Sequence, residues 1–100
     1  MKHCTTMAEV REQIDDIDRR IVALLAERSG YVSQAARIKA TRAEIVDHAR
    51  IEEVVAKARA AAGTAGLDAD LAERIFRPMV DAFIAFETDE YERRQTASGD

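Results

Sequence analysis

From Thr6 to about Lys39 the chain has no proline and one glycine, Gly30, and its apolar residues recur at steps of three and four: Val10, Ile14, Ile17, Ile21, Leu24, then Tyr31, Val32, Ala35 and Ile38. That period belongs to a helix with one oily stripe. A helix of about 32 residues spans about 48 Å, whereas a compact chain of about 100 residues has a radius of gyration of only about 13 Å. A rod this long outruns the core that one such chain can build. The simplest cover is a second copy, so the expectation is a homodimer in which long helices from two protomers pack together, antiparallel in keeping with the two-fold symmetry of most dimers.

Two more helices follow from start and stop signals. Thr6-Met7-Ala8-Glu9 reads as a capping box opening the first helix. Thr41 to Val46 reads as a connector, Asp47 as the N-cap of a second helix ending at Gly63, and Gly63-Thr64-Ala65-Gly66 as a turn. Asp68 caps a third helix running to about Arg94, with a kink expected at Pro78 and a frayed tail from Thr96 to Asp100. With 100 residues, 5% aromatics and four glycines, the chain reads as a single all-α domain of three helices with its core at about residues 8 to 95. An apolar share of 47% and a charged share of 34% argue against disorder and against a membrane protein. Fifteen Lys plus Arg against nineteen Asp plus Glu give a net charge of −4, which disfavours nucleic acid as a partner. The single cysteine, Cys4, and a charged N-terminal stretch suit a reducing cytoplasm. His3 and His48 lack a second ligand at metal spacing.

The informative residues are charges on apolar stripes. Arg28 follows Leu24 by four and precedes Tyr31 by three. Lys39 lies eleven residues further on, about 20° away around the helix axis and about 16 Å along it, with Val32 and the small Ala35 between. Two cations flanking a small-residue gap describe a pocket for a small, multiply charged anion; the other reading is that both snorkel at a bundle edge. Arg11 is about 25 Å of helix rise before Arg28, so it reaches the same ligand only from a partner chain, or else pairs with Asp15 at the surface. In the third helix Phe76, Val80, Phe83 and Glu87 repeat at four, three and four. Glu87 therefore extends an apolar stripe, unless the helix is already emerging into solvent with Asp89, Glu90 and Glu92. A buried carboxyl resists ionisation unless a cation such as Lys39 stabilises the charged form.

This constellation resembles the all-helical chorismate mutases and the related isochorismate pyruvate lyases. The strongest likeness is VREQIDDIDRRIVALLAERSGYVSQAARIKA, with Arg11, Arg28 and Lys39 in the family's spacing; a weaker one runs through Asp47 and Arg50 in DHARIEEV and through GLDADLAERIF to Glu87. The resemblance implies an intertwined helical dimer, no cofactor, and a site that borrows one arginine from the neighbouring protomer. It implies the rearrangement of chorismate to prephenate on the way to Phe and Tyr, with Arg28 and the partner's Arg11 clamping carboxylates and Lys39 donating to the ether oxygen. Asp47 and Arg50 correspond to residues that position the ring end of the substrate.

Three departures from the family pattern stand out. Many bacterial members place Gln where Glu87 stands, and since an ionised Glu87 would repel the ether oxygen, it is expected to work protonated. Ile51 occupies a position where typical mutases carry a Glu that receives the ring hydroxyl, and the lyases tend to be apolar there. Phe83 replaces a small polar residue, which makes the pocket drier. The main expectation is chorismate mutase; the alternatives are isochorismate pyruvate lyase, giving salicylate and pyruvate, and a non-catalytic helical dimer with regulatory function.

Overall fold

The computed structural model describes residues 1–98, and it is all-helical there: α1 Met7–Ile38, a 3-10 turn Arg42–Glu44, α2 His48–Ala65 and α3 Ala69–Ser98. No helix among the described residues is long and apolar enough to cross a membrane. The chain divides into two compact units, Met1–Tyr31 and Val32–Asp100.

The first unit is the greater part of α1. Its start is fixed by local chemistry: Thr6 Oγ1 accepts the Glu9 N–H at 3.2 Å, while the Glu9 carboxylate reaches back to the Thr5 N–H at 3.0 Å. The reciprocal half of the box thus closes on Thr5, one residue earlier than the sequence pattern places it. Beyond the cap, Ile14, Ile17, Ile21, Leu24 and Tyr31 are 46–66% exposed. Arg11 is exposed, and the ion pair expected with Asp15 does not form among the described residues; the pair in this stretch joins Arg19 to Asp16.

In the second unit α2 and α3 pack together as an antiparallel-style hairpin joined by a tight link. Asp47 caps α2 by accepting the Arg50 N–H at 3.0 Å. Asp68 caps α3 by accepting from the N–H groups of Asp70 at 2.8 Å and Leu71 at 3.2 Å. Between them Gly66 takes φ 80°, a left-handed conformation that suits glycine, and the Leu67 N–H returns to the Ala62 carbonyl at 2.8 Å. The end expected at Gly63 is therefore corrected: Gly63 is an ordinary helical residue, because the αL closure that stops α2 needs only one glycine and uses Gly66. The fraying expected from Thr96 is also corrected, since α3 stays helical to Ser98; Gly99 and Asp100 lie outside the described residues. Pro78 stands inside α3, and it and Arg74, whose carbonyl loses an N–H partner, are both exposed, where solvent can satisfy that oxygen.

The core of this unit is made of small residues. Val55, Ala58 and Ala62 of α2 are buried, as are Ala72 and Val80 of α3, Ala36 at the end of α1 and Ile45 in the connector. Alanines let helix backbones approach closely, and each buried aliphatic side chain the size of valine contributes about 1.5–3 kcal/mol relative to exposure. An ion-pair chain runs along the outside of the hairpin. Arg77 holds Glu52 through two hydrogen bonds, at 2.7 and 2.8 Å, and Glu73 through its Nε at 2.6 Å. Arg59 bonds Asp70 at 2.9 Å and Glu73 at 3.0 Å. Hydrogen bonds from Arg77 hold the carboxyls of Glu52 and Glu73 below the usual carboxylate range, and the same bonds raise the Arg77 guanidinium above its ordinary value. Glu52 and Asp70 are exposed and Arg59, Glu73 and Arg77 half-buried at the surface, so solvent screens the network and its role is to set helix register more than to add stability.

Candidate active site

Lys39 sits one residue beyond α1, where its N–H still donates to the Ala35 carbonyl at 2.9 Å, so the side chain leaves in helical phase. Its Nζ lies 2.7 Å from Glu87 Oε2. The side chains are 28% and 9% exposed respectively, and Glu87 is the one buried polar or charged residue among those described. The four-three-four stripe of α3 explains this position: Glu87 follows buried Val80 by seven residues on the inward face, while exposed Asp89 and Glu92 point to other sides. The alternative in which α3 has already emerged into solvent at Glu87 is thus overturned. Glu87 Oε2 has no hydrogen-bond partner of good directional geometry, so the contact is electrostatic and the oxygen keeps unfilled acceptor capacity.

Ala35, Ile51 and Phe83 are all half-buried, and Phe83 meets Phe86 edge to face with centroids 6.3 Å apart. Asp47 is engaged as a helix cap, and the Arg50 guanidinium pairs with Glu53 one turn on, in an exposed contact. Arg28, in the first unit, is half-buried. A surface groove of about 370 Å³ lies elsewhere, lined by Arg59, Asp70, Glu73, Arg74 and Arg77. It shares no residue with the Lys39–Glu87 pair, and Arg59 and Arg77 there are already matched by carboxylates, so it is the outer face of the hairpin network and not a site for chemistry.

Sequence reasoning missed the contacts that hold the segment after Lys39. The Tyr91 hydroxyl donates to the Ala40 carbonyl at 3.3 Å, and the Ala40 N–H donates to Glu44 Oε2 at 3.0 Å. Arg42 pairs with Glu92 at 2.8 Å. A signal was there: Tyr91 continues the stripe four residues beyond Glu87, an aromatic among acids.

What the arrangement offers is a cation of restricted exposure, balanced by a buried carboxylate. In a region of low dielectric such a cation interacts strongly with any negative charge brought to it. Residues 10–88 match the family model described as chorismate mutase type II. Isochorismate pyruvate lyase of Pseudomonas aeruginosa is 38% identical over 82 residues, which cover 82% of this chain and 81% of that protein. The chain belongs to the chorismate mutase type II family.

Proposed function

We propose that the protein is a chorismate mutase that rearranges chorismate to prephenate without a cofactor, working in the cytoplasm as a homodimer. The observation that carries this reading is the Lys39–Glu87 pair: a cation held beside a buried carboxylate, within a match to the family that spans most of the chain. The reaction is pericyclic and needs neither a nucleophile nor a metal. The work required is to hold a dianion in its compact reactive conformer and to stabilise the negative charge that grows on the ether oxygen as its C–O bond breaks. Arg28 and the partner subunit's Arg11 are assigned to the substrate carboxylates, for which a guanidinium fork is well shaped. Lys39 is assigned to the ether oxygen, and Arg50, with Asp47 fixing the start of α2 beneath it, to the ring end. The exposed stripe of α1 supports the dimer, because apolar residues at that exposure have a natural cover in a second copy.

Glu87 is assigned as the second donor to the ether oxygen. It pairs with Lys39 in the free chain, and a dianion that takes over the ammonium frees the carboxyl for this role.

A second reading, isochorismate pyruvate lyase, draws support from the relative that carries that activity in its name and from half-buried Ile51, which offers no acceptor to a ring hydroxyl. In that reaction hydrogen transfer accompanies C–O cleavage in the same pocket. Incubation with each substrate separately decides between them. Loss of chorismate absorbance with prephenate formed supports the mutase, and salicylate fluorescence from isochorismate supports the lyase. The non-catalytic reading, in which Arg28 and Lys39 are ordinary edge residues, predicts that substitution at both is tolerated.

A further inference from the structure

We propose that Tyr91 and Glu44 are positioning residues for Lys39, acting together on the peptide groups of Ala40; the inference rests on the catalytic assignment of Lys39 above. The Lys39 N–H makes the last i→i−4 bond of α1, to the Ala35 carbonyl, so the backbone beyond it would fray like any helix end unless the next residue is held. Ala40 is held on both sides. Its carbonyl accepts from the Tyr91 hydroxyl at 3.3 Å and its N–H donates to Glu44 Oε2 at 3.0 Å. The two anchors are themselves fixed: Tyr91 stands one helical turn after Glu87 on the inward side of α3, and Glu44 precedes Ile45, which is 4% exposed. One stripe of α3 thus meets the Lys39 ammonium through Glu87 and the carbonyl of the next residue, Ala40, through Tyr91. An ammonium on a four-carbon stem has many rotamers, and a fixed backbone narrows where its charge can be delivered. The Arg42–Glu92 pair is 67% and 48% exposed, and is a minor addition to this hold.

The test compares wild type, Tyr91→Phe and Glu44→Ala by amide hydrogen exchange, thermal unfolding, and kcat and KM on chorismate and isochorismate. Tyr91→Phe keeps the ring and removes the one hydroxyl; Glu44 is exposed, so its truncation leaves folding intact. Exchange across residues 39–45 should quicken by about 3- to 10-fold in each variant, the equivalent of one net hydrogen bond, with exchange in α2 and the melting temperature unmoved. Turnover should fall by about 3- to 10-fold in kcat with KM within about twofold, because Lys39 is assigned to charge that exists only in the transition state. Unchanged exchange at residues 39–45 overturns the hold on Ala40. Faster exchange with unchanged kcat overturns the positioning role, and a general rise in exchange with a lowered melting temperature does the same by showing a merely structural bond. A wild type that turns over neither substrate sinks the reaction assignment instead, and the exchange comparison still decides whether Tyr91 and Glu44 hold the segment.

Discussion

The first unit and the α2–α3 hairpin solve opposite problems with the same helical alphabet. The hairpin buries its own seam of Val55, Ala58, Ala62, Ala72 and Val80 and links its flanks through Arg77 and Arg59. The first unit holds large aliphatics, Ile14, Ile17, Ile21 and Leu24, at an exposure of about half or more. Small residues suit contacts completed within one chain, where backbones can close on each other. Large exposed ones suit a surface whose complement lies elsewhere, and a two-fold copy supplies the same surface in reverse.

This contrast can be broken most severely at Lys39. Lys39→Ala removes one preorganised donor to developing charge and should lower turnover by about 10²–10³-fold, as measured on whichever substrate the wild type accepts, while circular dichroism shows the helices intact. Arg11→Ala should be similarly crippled. Mixing these two inactive proteins sharpens the comparison, because subunit exchange produces mixed dimers with one intact site. Recovery of roughly one quarter of wild-type activity is expected at equal mixing. No recovery, after exchange is verified with a labelled chain, rejects the contribution of Arg11 in trans.

Ile17→Glu attacks the first unit alone. Sedimentation should show the dimer weakened or lost, with the α2–α3 hairpin still helical, since nothing in the hairpin's buried seam is altered; an unaltered dimer removes α1's stripe from the interface. Within the hairpin, Ala62→Leu should cost about 1–3 kcal/mol by overfilling a contact built for a methyl group, readable by denaturant unfolding. The smallest effect is electrostatic. Glu52 and Glu73 have carboxyls lowered mainly by Arg77 hydrogen bonds, so their contribution is present above the ordinary carboxylate range and is lost as pH falls through their lowered folded values. Arg77→Gln should flatten that acid-side slope of melting temperature; an unchanged slope removes the network from the stability account.

The helices and their caps at Thr6, Asp47 and Asp68 were legible because each depends on bonds or spacing within a few residues, whereas the phase of Glu87 left two readings open that burial decides. Gly63 was misread because two glycines three apart both suit a C-terminus, and only the realised αL conformation at Gly66 separates them. The Arg11–Asp15 contact failed for another reason: an exposed i,i+4 pair gains so little that rotamer entropy decides it. The site was partly legible. Lys39 and Glu87 stand 48 positions apart, and their pairing follows from each being a charge on an oily stripe. The hold of Tyr91 on Ala40 was hidden because it runs from a side chain to a backbone group, and backbone acceptors look alike in every residue.

The salt link between α1's end and α3 has one more consequence. A cation waiting for a ligand is ordinarily open to any small anion in the cell, but here its resting companion is tethered to the same polypeptide, at an effective concentration that free chloride or a lone carboxylate cannot match. An anion must therefore outcompete a neighbouring carboxylate that cannot diffuse away before it can take the Lys39 ammonium.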